Sequence, residues 1–233
     1  MTTLPCAACG APIEFHSPAS VYAVCAFCHA MVVRRDVDVE AIGTMAELPP
    51  DMSPLQIGSE GVYGNVPFTI IGRAKMAWAQ GTWNEWFLWC DDNRRGWLAE
   101  AQGFFAVSFE IPTPFPLDVR QNIASLQEKI KPQTMLDQNN PSLSHAPVGN
   151  MYRFANTAYQ LADAKFARCV GSEGELPFTA ARGRTAITLD FTGPQDEFAC
   201  IEFSADAPRV FTGDYIEWDR LRIERVRDLE GWP

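Results

Sequence analysis

Positive charge is scarce in this 233-residue chain: 19 Lys+Arg stand against 29 Asp+Glu, a formal net charge of −10. Phosphate backbones are gripped by clustered Lys and Arg, so this balance argues against nucleic-acid binding. Long apolar runs are missing too. No stretch reaches the roughly 18 uncharged apolar residues that a membrane-spanning helix needs. The start, Met1-Thr2-Thr3-Leu4-Pro5-Cys6, has neither the basic region nor the apolar core of a signal peptide. A cytoplasmic protein is expected, peripheral to a membrane only through partners. Histidine is rare, at three residues. The phosphate-binding glycine loops, the zinc-protease helix motif and the nucleophile-elbow pentapeptide are all absent. Acid–base chemistry would fall to carboxylates, Lys or Tyr. These absences weigh against an enzyme without excluding one. Disorder is disfavoured as well, because 47% of residues are hydrophobic and only 21% charged.

What is present begins with cysteine. Four of the seven lie in the first 28 residues, Cys6, Cys9, Cys25 and Cys28, spaced C-x2-C-x15-C-x2-C. Two intervening residues let one tight turn point both thiolates at a single ion, and a hairpin brings the second pair to the first. Four thiolates close a tetrahedral shell, the structural type of zinc site. Two disulfides are the competing reading, disfavoured in a reducing compartment. His16 and His29 lie nearby as alternative ligands, but the thiolates already complete the shell. Arg34 and Arg35 could offset its negative charge. Cys90, Cys169 and Cys200 stand alone among apolar neighbours and read as small buried hydrophobes. His145, the one histidine beyond the ribbon, sits in a loop-like stretch, which disfavours a Cys–His catalytic pair.

Proline clusters divide the rest. The reading is mainly β: a zinc ribbon (1–35), a linker (36–54), an N-terminal β lobe (55–111), a connector (112–147) and a C-terminal β lobe (148–233). The lobes are expected to be two small β-barrels or β-rolls, with internal duplication suggested by the echo of Gly64-Asn65-Val66 in Gly149-Asn150-Met151. One amphipathic helix, 118–131, joins them. Its Val119, Ile123, Leu126 and Ile130 recur at helical spacing, and Pro132 ends it.

Five of the seven tryptophans fall between Trp78 and Trp97. In the strand Trp83–Cys90, alternation puts Trp83, Glu85, Phe87 and Trp89 on one face and Asn84, Trp86, Leu88 and Cys90 on the other. Either both faces are covered, or one is a binding surface. Trp83, Glu85, Trp86, Trp97 and Glu100 are its candidates, since a carboxylate among indoles can hold a cation. Asp91 and Asp92 read as ordinary turn residues.

The string Gly81-Thr-Trp-Asn-Glu-Trp-Phe-Leu-Trp89, then Asp91-Asp92 and Gly96-Trp-Leu-Ala-Glu-Ala-Gln-Gly103, resembles the bacterial domain of unknown function 4178. Gly174–Phe178 and Phe211–Trp218 are similar to its later blocks. The resemblance covers about 1–35 and 55–225 and implies no established activity or catalytic residues. It implies a bacterial cytoplasmic protein, often preceded by such a ribbon, in the neighbourhood of polyamine-synthesis and membrane-associated proteins. Two functions follow as expectations. One is a non-catalytic interaction scaffold that docks protein partners. The other is a binder of, or enzyme for, a small polyamine-like cation at the Trp/Glu cluster. Nucleic-acid binding through the ribbon ranks below both.

Overall fold

Short runs of alternating apolar residues, ended by Gly and Asx turns, become antiparallel strands. The computed structural model describes residues 1–35, 38–45, 48, 51–134, 143, 146–154, 157–180 and 183–229, with the backbone alone at 131–134. In the ribbon, β1 (Thr2–Pro5) pairs with β2 (Pro12–Phe15), and β3 (Tyr22–Val24), β4 (Ala30–Arg35) and β5 (Asp38–Thr44) form a second small sheet. The segment read as linker therefore begins with a strand, because Asp38–Thr44 satisfies the free edge of β4.

The barrel strands follow. The first half comprises β6 (Glu60–Tyr63), β7 (Val66–Trp78), β8 (Gly81–Cys90), β9 (Arg95–Ala101) and β10 (Phe104–Glu110), then α1 (Leu117–Thr134). The second comprises β11 (Met151–Phe154), β12 (Thr157–Leu176), β13 (Thr185–Thr192), β14 (Glu197–Phe203) and β15 (Arg209–Tyr215), then α2 (Trp218–Leu221). Each half is a hairpin running into a meander, followed by a helix. The Gly-Asn echo does not mark equivalent points of this repeat: Gly64 sits in the turn between β6 and β7, whereas Gly149 precedes β11, although both have positive φ.

The chain is mainly β, as expected, but the lobes do not close separately. The outer strands of each meander have unpaired backbone groups, and these pair across the halves: β7 with β12, and β10 with β15. Eight strands thus form one antiparallel ring, β7-β8-β9-β10-β15-β14-β13-β12. Alternation shows which residues share a face; it does not show which edges meet. At the seams the backbones approach closely. A Cβ on Gly72 would strike the carbonyl oxygen of Glu175, and one on Gly213 that of Val107.

Residues facing out of the ring are covered by exchanged helices. Val119, Ile123, Leu126 and Ile130 of α1, which follows the first half, pack with Tyr152, Phe154, Leu189 and Ile201 of the second. Leu221 of α2, which follows the second half, packs with Phe68, Ile70, Trp86 and Leu98 of the first. Burying four aliphatic side chains gives α1 a gross gain of about 6–12 kcal/mol. Packing therefore outweighs the weak stability of an isolated helix of this length. After β15 only the turn Trp218–Leu221 is α-helical among the described residues.

Gly213→Ala should lower stability by about 2–4 kcal/mol, since the new methyl meets backbone that cannot yield. Gly81→Ala, where a Cβ would have an ordinary contact with Trp78, is the control. Equal denaturation midpoints for the two variants would contradict the close seam.

Candidate functional site

The ribbon turns are built alike. Gly10 donates its N–H to the Cys6 carbonyl, and His29 donates its N–H to that of Cys25, both at 2.9 Å. Gly10 and His29 hold the same place in their turns, with φ of 77° and 58°. This is why His29 follows a ligand cysteine without joining the cluster. The four sulfurs of Cys6, Cys9, Cys25 and Cys28 lie within 4.8 Å of one another. The Cys6–Cys28 and Cys9–Cys25 separations are 3.8 Å, far beyond a disulfide. Thiolates about 2.3 Å from a tetrahedral centre stand about 3.8 Å apart. The cluster therefore fits a tetrahedral metal ion. Among the described residues no other group of three His, Cys, Asp or Glu gathers its ligand atoms so closely.

The expected counter-charges are engaged elsewhere: Arg34 lies over the Phe15 ring and Arg35 pairs with Glu40. His16 reaches the barrel. Its backbone N–H donates to Glu175 Oε1 at 2.7 Å, and its Nδ1 lies 2.7 Å from the same oxygen. Ser17 N–H donates to Oε2 at 3.2 Å. This buried carboxylate of β12, together with the β3–β12 pairing, fastens the ribbon to the barrel.

Inside the ring lies a cavity of about 880 Å³. The five candidate aromatic and acidic residues do not form one surface. Trp83, Glu85 and Trp97 line the cavity. Trp86 and Glu100 instead face the outer core. Trp86 is fully buried there, and its Nε1 donates to Glu100 Oε2 at 2.9 Å. The same oxygen accepts from Ser53 Oγ at 2.7 Å and Asn84 Nδ2 at 3.0 Å. Beside it, Arg73 stacks on Trp86 and joins Lys75 in binding Asp51. Burial opposes ionisation of Asp51, yet the two cations hold it below its usual range. This network seals residues 51–55 over the barrel wall and leaves Trp86 and Glu100 a structural role. Asp91 and Asp92 sit at the exposed turn as expected, with Asp92 paired to Arg94.

The cavity wall carries charges that the sequence reading left out. Lys165 Nζ lies 2.5 Å from Asp190 and 3.0 Å from Asp163, and 5.9 Å from the ring centroids of both Trp78 and Trp83. Burial alone would lower the Lys165 pKa, but Asp190 and Asp163 outweigh it and raise it. Arg184 pairs with Glu202 at 3.0 Å. Glu85 receives the Trp83 indole N–H at 2.6 Å. Its carboxyl is pushed up to about 7, first by burial and then by Asp190 and Glu202, against the lowering effects of Trp83 and Lys165. A folded-state value above the ordinary carboxylate range means that Glu85 favours the folded state most below about 4.5. That contribution is lost as pH rises through 7. In the strands Thr185–Thr192 and Glu197–Phe203, Asp190 and Glu202 occupy alternate polar positions, which look solvent-facing until the ring closes and turns them inward. Cys200 borders the same cavity, its thiol kept protonated by burial and by Asp190, while Cys90 and Cys169 are buried. His145 lies outside the described residues.

With this geometry in place, comparison with known proteins shows the family. The model described as "Domain of unknown function (DUF4178)" matches residues 56–218, so the chain belongs to that family. The match takes in the whole ring and leaves the ribbon outside. No curated protein and no solved structure matches the chain. No helix among the described residues is long and apolar enough to cross a membrane.

A metal-loaded sample should show no fast-reacting thiols. After chelation four should react quickly with a chromogenic disulfide, while Cys90, Cys169 and Cys200 wait for denaturant. Seven thiols reacting together after chelation would contradict this division.

Proposed function

We propose that this DUF4178 protein is a non-catalytic binding module whose barrel lumen takes a small cationic, polyamine-like molecule, with a structural zinc ion in the ribbon. The observation that carries the reading is Lys165. Its ammonium rests between two carboxylates and beside two indoles, so the lumen already holds one ammonium with chemistry that suits another. The wall carries Glu85, Asp163, Asp190, Asp196, Glu202 and Glu217 against Lys165, Arg184, Arg209 and Arg220, or −6 + 4 = −2 with Glu85 ionised. Arg209 is matched by Glu110. An 880 Å³ space lies in the range of small-molecule sites.

Zinc is the ion favoured by four thiolates in a closed tetrahedral shell. Its binding would supply about 10–16 kcal/mol to a ribbon with a small core of its own. Phe27, 71% exposed between Cys25 and Cys28, supports a second role, docking a protein partner within a membrane- or polyamine-linked bacterial assembly.

Calorimetric titration with spermidine tests the lumen. One site per chain should persist at about 0.15 M salt, because an enclosed pair is weakly screened. Glu85→Gln should weaken it by about tenfold or more. Binding that vanishes at that salt, or that Glu85→Gln leaves unchanged, would contradict the reading.

A further inference from the structure

The surroundings of Glu85 differ from those of the other lumen carboxylates. Asp163 and Asp190 share Lys165, and Glu202 has Arg184. Glu85 has an indole N–H and, among the described residues, no ion-pair partner within 4 Å. Its neighbours leave room. In register with it stand Ala74 on β7 and Ala99 on β9, and Ala99 in turn faces Ala106 on β10. Three alanines in a row across the wall expose the carboxyl to the cavity, with Trp83 and Trp97 at either side of the row. A bare carboxylate there would be a buried charge without a counter-ion, which is costly.

Resting on the lumen reading above, we propose that the barrel exchanges a proton for its ligand: an organic ammonium ion settles against Glu85 as that carboxyl releases its proton to solvent. The step is balanced. Glu85–COOH and the entering cation become a carboxylate–ammonium pair, one proton leaves, and the lumen's charge is unchanged. The ligand places one ammonium head in the alanine-floored pocket and its methylene or aromatic portion against the surrounding rings.

The other groups facing Glu85 hold their charge states through this exchange. Lys165 of β12 stays protonated between Asp163 and Asp190. Cys200 of β14 and Tyr215 of β15 are pushed upward by burial and stay neutral. Glu202 and Arg184 are paired, as are Arg209 and Glu110. Burial, Asp190 and Glu202 set the carboxyl near 7, so about half the molecules carry the proton at neutral pH. Below that pH the proton competes with the cation; above it the competition disappears.

The test uses benzyltrimethylammonium, whose charge is permanent, so any proton released belongs to the protein. Calorimetry on the wild-type chain at pH 7, in buffers of high and low ionisation enthalpy, should show about half a proton released per cation bound. Affinity should rise about tenfold from pH 6 to pH 8. In Glu85→Gln the pH dependence and the proton release should both disappear. Cation binding with no proton release and a flat pH profile would overturn the exchange and leave the lumen reading standing. Absence of benzyltrimethylammonium binding across the pH range would overturn the exchange, and absence of spermidine binding as well would overturn the lumen reading. The wild-type measurement decides the matter even if the variant fails to fold.

Discussion

Backbone pairing along β12 is the constraint on which the rest of the molecule depends. Over twenty residues this strand meets β11, then β13, then β7, and finally β3 of the ribbon. Each handover keeps N–H and C=O groups paired that would otherwise be buried unsatisfied. Register shifts at Leu161/Asp163 and Cys169/Gly171 bend the strand enough to serve partners in different directions. The same strand places Asp163 and Lys165 in the lumen and Glu175 under the ribbon. Ring closure, ligand chemistry and ribbon docking are therefore features of one strand.

The exchange of helices explains how the barrel tolerates a polar interior. In many small barrels the inside is the core. Here two apolar clusters lie on outward faces of the strands, where α1 and the β11–β12 hairpin cover one half and α2 and residues 51–55 cover the other, while a third, with Phe87, Trp97 and Phe211, lies on the inward side. Those two outer clusters hold most of the large buried side chains, so the lumen is free to carry a mixed set of carboxylates and cations and a carboxyl displaced from its ordinary range. Such displacement is typical of functional positions, where stability is given up locally.

Much of this could be read from residue order. Cysteine spacing located the cluster, and the four apolar residues from Val119 to Ile130 located α1 to within a few residues. Alternation in Trp83–Cys90 separated the two faces correctly, because side-chain direction in a strand is a local property. The division of Trp83 and Glu85 from Trp86 and Glu100 followed from that alternation, but it could not be interpreted without knowing that both faces are covered. Seam pairing was not legible, since β7–β12 and β10–β15 join residues about a hundred positions apart. Without it, Lys165 and Asp190 look like surface charges. Gly72, Gly174 and Gly213 were the available signal: glycines inside strands mark close backbone approach.

The central claim is that the inward face of the ring is a cation site centred on Glu85. An experimental structure of the full chain determined in the presence of benzylamine tests it most directly. The account predicts the ammonium nitrogen within hydrogen-bond distance of Glu85 beside Ala74 and Ala99, with the ring among the lumen aromatics. An empty lumen, with the amine held only at exposed carboxylates such as Asp91 and Asp92, would contradict it.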